Sequence, residues 1–308
     1  MTTDNTPTYG GQAVLEGVMI RGQRHVAVAV RRPNGRIAVQ CRPLSAWLTG
    51  PLRRLPLARG VIILAETLTL GMRALSYSAN VGLESPDAED EVETDEIGSG
   101  AVAGMLMLSM VFAIGLFFLI PLFASRPLEG KFGNDLLSNV TEGLIRLAIF
   151  LVYIWLIGKM REINRVFMYH GAEHMTVHAQ EQGEPLDVES VRRFSPAHPR
   201  CGTAFLLTVM VVAIAVFVFV PRQPLWWLIT SRVILIPAIA AASYEIIRWS
   251  GRYASNRLVS VITRPNLVMQ KLTTRPPEDD QIEVAIAAMK RAIEADSPPN
   301  QLESEEGR

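Results

Sequence analysis

The feature that most restricts this chain is residues 101–124, AVAGMLMLSMVFAIGLFFLIPLFA, 24 residues without one charge. As a helix rising about 1.5 Å per residue they reach about 36 Å, enough to cross a hydrocarbon core of about 30 Å. Residues 202–221 (GTAFLLTVMVVAIAVFVFVP) are also uncharged and about one crossing long. Residues 140–158 are apolar except for Glu142 and Arg146 near their start, four apart in the order that favours a helical pair. Residues 225–247 open on Trp226 and Trp227, a residue type enriched at membrane interfaces, and contain Arg232, Pro237 and Glu245. The expected fold is mainly α, a polytopic membrane protein with about four transmembrane helices within residues 101–247.

Lysine and arginine set the orientation. Ten precede the first span, 6 lie between the second and third, and 9 follow the fourth, whereas the other two loops carry 2 and 1. The positive-inside rule then puts both termini and the loop 159–202 in the cytoplasm. The start, MTTDNTPTYGGQ, has no basic-then-apolar signal, so no cleavage for export is expected. The 30 basic and 30 acidic residues cancel, which argues against a nucleic-acid partner. Cys41 and Cys201 are too few for a disulfide framework.

Outside the spans the pattern changes. Within residues 1–50, HVAVAVRRPNGRIAVQ alternates on both sides of Pro33-Asn34-Gly35, which predicts a small β-hairpin element on the cytoplasmic side. Residues 51–83 predict an amphipathic helix, packed on protein or lying at the membrane surface, with a fifth crossing as the alternative. Residues 84–100 read as a linker, their ESPDAEDEVETDE run holding eight acids and no base. Residues 248–296 form a cytoplasmic segment ending in an amphipathic helix with Ile282, Ile286, Met289 and Ile293 on one face. Residues 297–308 read as a disordered tail.

The chemistry concentrates in the loop 159–202. Four of the chain's five histidines, His170, His174, His178 and His198, lie there, with Cys201 three residues past the last. On a helix His170, His174 and His178 stack on one face, and an i, i+4 pair can share one metal ion. His170 to His174 also spells H-x-x-E-H, the inverted zincin pattern, in which the histidines hold zinc and the glutamate, here Glu173, activates water. His198 and Cys201 complete a four-residue donor set, and imidazole with thiolate favours zinc or another divalent transition metal. The plainer alternatives are a polar helix face beside a buried structural cysteine, or a metal-free Cys/His pair. Glu245, near the cytoplasmic end of the last span, is either an additional carboxylate ligand or the partner of Arg248 or Arg146.

The segments YGGQAVLEGVMIRG, RGVIILAETLTLGMRAL, YHGAEHMTVHAQEQGEPLDVESVRRFSPAHPRCGTAFLL and TTRPPEDDQIEVAIA, in this order, resemble the YqhQ family of bacterial membrane proteins, which carry a domain of unknown function numbered 1385. The resemblance spans about residues 9–293. It implies an inner-membrane protein and a metal-dependent enzyme without an established reaction. The matched motif positions are His170, Glu173, His174, His198 and Cys201, with Glu16 and Glu66 in further matched segments and His178 outside the ligand set.

Three functions compete. The first is a metal-dependent hydrolase at the cytoplasmic face, with Glu173 catalytic and Cys201 or Glu245 as the fourth ligand. The second is a membrane scaffold whose structural metal site recruits a protein partner or a second copy of the chain. The third is a small transporter, prompted by Arg232, Pro237 and Glu245 in one span.

Overall fold

The computed structural model describes residues 9–44, 58–83, 99–132, 134–198, 201–222, 224–253 and 256–297. The acidic run 84–96 and the tail beyond residue 297 lie outside these. The chain is mainly helical with one small antiparallel sheet at its N-terminal end.

The sheet is a four-stranded meander, β1 Gly10–Val14, β2 Gly17–Arg21, β3 His25–Arg31 and β4 Ile37–Pro43, in spatial order β1-β2-β3-β4. The hairpin at Asn34-Gly35 is the expected one. Gly35 takes φ +85°, and the Asn34 side chain accepts from Arg36 N–H at 3.0 Å. The second hairpin, β1–β2, turns at Leu15–Glu16, with Glu16 at φ +48°. A non-glycine residue there costs about 1–2 kcal/mol. The Glu16 carboxylate offsets this by accepting from Arg165 at 2.6 and 2.5 Å and from the Tyr169 hydroxyl at 3.2 Å.

Both faces of the sheet are covered, which explains the nearly unbroken apolar run of β3. Val18, Ile20, Ala27 and Ala29 pack on α5 (Arg161–Gln182) and α11 (Asp279–Asp296), against Ala172, Met175, Ile282 and Met289. Val14, Met19, Val26, Val28 and Val30 face the C-terminal half of α1 (Ala58–Leu83), against Ala74 and Val81. Glu278 and Gln281 form a capping box that starts α11.

The second body is helical. Among the described residues three helices are long and apolar enough to cross a membrane, or four if one bent pair counts as a single span. They are α1, the stretch Met107–Leu128, α4 (Asp135–Ile157), and the pair α8 (Leu225–Ile234) and α9 (Ile236–Arg252), bent by 42°. Met107–Leu128 runs through α2 (Ser99–Ile114), a π-helical turn at Gly115–Leu119 and α3 (Ile120–Phe132).

This list differs from the sequence expectation in two places. Within residues 202–221 the helix α7 (Thr203–Phe217) has 15 residues, about 22 Å, short of a full crossing. Helix α1 has the length and composition of a span, but the sheet covers Ala74 and Val81 in its second half. Its first half instead packs on α9, where a Cβ at Gly60 would stand 3.1 Å from the Ala241 backbone. A further helix, α10 (Arg257–Thr273), contains Pro265 and lay unrecognised in the sequence.

The charges inside the apolar segments pair with one another. Glu142 accepts from Arg146 at 2.6 Å, Arg222 at 2.8 Å and Arg232 at 3.1 Å, all nearly fully buried. Arg146 also donates to the Phe117 carbonyl in the π-helical turn at 2.8 Å. Removing one partner of such a buried pair costs about 3–5 kcal/mol. Glu245 pairs through both oxygens with Arg59 of α1. It therefore fastens α1 to α9 and stands apart from the histidines.

Candidate metal centre

Helix α5 follows α4 after a short turn, Gly158–Met160, and ends at Gly183, whose φ of +71° suits a helix stop before the one-turn α6 (Val188–Val191). It carries two neighbouring polar stripes at four-residue spacing. Arg165, Tyr169 and Glu173 face the β1–β2 hairpin, through Glu16 and Gly11. His170, His174 and His178 face the end of α10 and the returning residues 195–198.

Each of these histidines is held by a backbone carbonyl, which can only accept a hydrogen bond. His170 Nδ1 donates to Thr273 at 2.9 Å, His174 Nδ1 to Pro196 at 2.6 Å, and His178 Nε2 to Ala197 at 3.0 Å. The opposite nitrogen of each ring thus carries the lone pair a metal needs. Carbonyl-held imidazoles of this kind are the usual support of metal ligands. Burial pushes His174 down to about 3 and His198 down to about 4, so both are neutral at pH 7.

The structure sorts the predicted donors into two groups. His170, His174 and Cys201 offer donor atoms all within 4.8 Å of one another, with Cys201 Sγ 3.3 Å from His170 Nε2. His198 does not join them; it groups with His178 and Glu181. Cys201 stands just before α7, and its sulfur accepts from the Thr203 N–H at 3.3 Å. Two imidazole nitrogens and a thiolate fit a zinc-like ion.

Glu173 is buried, with Oε2 3.6 Å from His174 Nε2 and the Gly11 backbone N–H bonded to its carboxylate. Burial raises it to about 7, near the range a general base needs at neutral pH. Gly11 is required there, since a Cβ would stand 2.3 Å from the Met19 carbonyl and 3.0 Å from Glu173 Cγ. A cavity of about 410 Å³ opens onto these groups, lined by His170, Glu173, His174 and Cys201 together with Gly11 and Thr67. Glu16 and Glu66 lie outside both donor groups. Glu16 binds Arg165, and Glu66 binds Arg21 at 2.7 Å.

Three supporting residues were not evident from the sequence. Gly171 permits a close crossing, because a Cβ there would meet the Arg275 carbonyl at 2.1 Å, and this crossing brings Thr273 to His170. Gln270 of α10 clamps residue 198 through both backbone groups, accepting its N–H at 2.9 Å and donating to its carbonyl at 2.8 Å. Glu181 is the third. The H-x-x-E-H string and its clustering with His198 and Cys201 advertised the site; a carbonyl partner leaves no mark in sequence. Gln270→Leu keeps the volume and strips both bonds, each worth about 1–3 kcal/mol when a buried group is left unmet. The variant is expected to melt several degrees below wild type in detergent; an unchanged melting temperature contradicts the clamp.

A family profile described as "Protein of unknown function (DUF1385)" matches residues 55–295. The chain is 33% identical to an uncharacterized protein, YqhQ, of Bacillus subtilis (strain 168), over 97% of this chain and 96% of that one. No solved structure matches. The chain therefore belongs to the DUF1385 family of proteins of unknown function.

Proposed function

We propose that this protein is an integral inner-membrane protein with a metal-dependent hydrolytic site at its cytoplasmic face. The observation that carries the hydrolase reading is a set of three donors, His170, His174 and Cys201, opening into the cavity beside a fourth, non-ligating group, Glu173. Catalytic zinc sites use three protein ligands and keep a position open, whereas structural sites are closed by four. The placement of His198 in the other group favours the open set.

Bound there, zinc or a similar divalent ion supplies a Lewis acid that polarises a carbonyl or phosphoryl oxygen. The chain's own groups do the rest. Thr273 and Pro196 fix the two imidazoles through their carbonyls, and Gly11 N–H fixes Glu173. The Glu173 carboxylate takes a proton from a water in the cavity and later returns it to the leaving group. A second reading, a structural metal site in a scaffold, draws its support from Cys201, since thiolate ligands abound in structural zinc sites.

Glu173→Gln separates the two. It is expected to keep wild-type metal content and protein level yet fail to restore the phenotype of a strain lacking the gene. Full restoration overturns the hydrolase reading and leaves the scaffold.

The orientation takes Met107–Leu128, α4, a short α7 and the α8–α9 pair as the four crossings, with α1 at the surface; 25 of the 30 basic residues then lie in the two terminal segments and the loop 159–202. A cysteine introduced at exposed Glu184 should resist an impermeant maleimide in intact cells and react with a permeant one. Labelling by the impermeant reagent contradicts the orientation.

A further inference from the structure

The histidine face of α5 continues beyond the first donor set. His178 lies one turn past His174, and Glu181 three residues further, where i and i+3 side chains share a face. The returning segment sets His198 against both. The His178 and His198 rings have centroids 4.3 Å apart, and His198 Nε2 lies 3.4 Å from Glu181 Oε2. All three residues offer a donor atom within 4.8 Å of the others. Because His178 Nε2 donates to the Ala197 carbonyl, its Nδ1 carries the lone pair.

From this geometry we infer that His178, Glu181 and His198 form a second divalent-metal site. A simple histidine–carboxylate hydrogen bond accounts for it poorly. At 3.4 Å the contact is long for such a bond. Two imidazoles and a carboxylate, without thiolate, take zinc, cobalt, manganese or ferrous iron, a harder set than the first. Of the three, His198 alone lines the cavity that the first set opens onto. The second ion lies beside that cavity and ties residues 196–198 to α5, next to Cys201 at His170. The site stands on its own donors, whether or not the first set is catalytic.

The test is cobalt(II) titration of the full-length protein in detergent after chelation, with ions per chain counted by elemental analysis. A thiolate-to-cobalt charge-transfer band reports the Cys201 set separately. Wild type should hold two ions. His178→Ala and the milder Glu181→Gln should each hold one, with the band retained. The His170→Ala/His174→Ala double variant should also hold one, without the band. If His178→Ala and Glu181→Gln bind as many ions as wild type, the second site is overturned while the first stands. If they lose one ion but no protein shows the band, the second site is supported and the first set fails.

Discussion

Three backbone carbonyls hold this structure's chemistry in place. The Thr273, Pro196 and Ala197 carbonyls each accept one hydrogen bond from a histidine of α5, and each comes from outside that helix. The histidines find these carbonyls only if the α10–α11 connection crosses α5 at Gly171 and residues 195–198 lie along its flank. Those two crossings in turn need Gln270 to clamp residue 198 and α11 to press the sheet against α5. The donor groups are thus a product of tertiary packing, with α5 as their ruler.

The two bodies of the molecule meet at this helix. On one side the sheet fixes Glu173, because Glu16 binds Arg165 and Tyr169 and so sets β1 beside α5. On the other side α5 continues from α4 after a three-residue turn, and Cys201 stands just before α7. Movement of α4 against α7 would change the spacing between Cys201 and the histidines. The Glu142 cluster resists that movement. It joins α4 to Arg222 beyond α7 and to Arg232 of α8, with Phe217 of α7 lying 4.1 Å from the Arg232 guanidinium. Burying three guanidiniums with one carboxylate is costly, which makes the cluster weak evidence for stability and better evidence for a specified helix arrangement.

The sequence exposes what depends on local pattern. The hairpin at Asn34-Gly35 follows from alternation and turn chemistry, and α4 and α5 follow from periodicity and caps. The β1–β2 hairpin was missed because its turn residue, Glu16, is strained and depends on a partner 149 positions away. Helix α10 was hidden by Pro265, and α1 divided its apolar face between α9 and the sheet, which no periodicity reveals. At the centre, the H-x-x-E-H string marked His170, Glu173 and His174. The split of His198 from Cys201, only three residues apart, had no trace in spacing.

The central claim is a metal ion held by two α5 histidines and Cys201. X-ray absorption at the zinc edge of protein purified without chelator tests it most directly. The account predicts nitrogen and oxygen scatterers at about 2.0–2.1 Å with a sulfur contribution at about 2.3 Å that disappears in Cys201→Ser. A sulfur contribution that survives that substitution, or zinc with only light-atom ligands in the wild type, would contradict it.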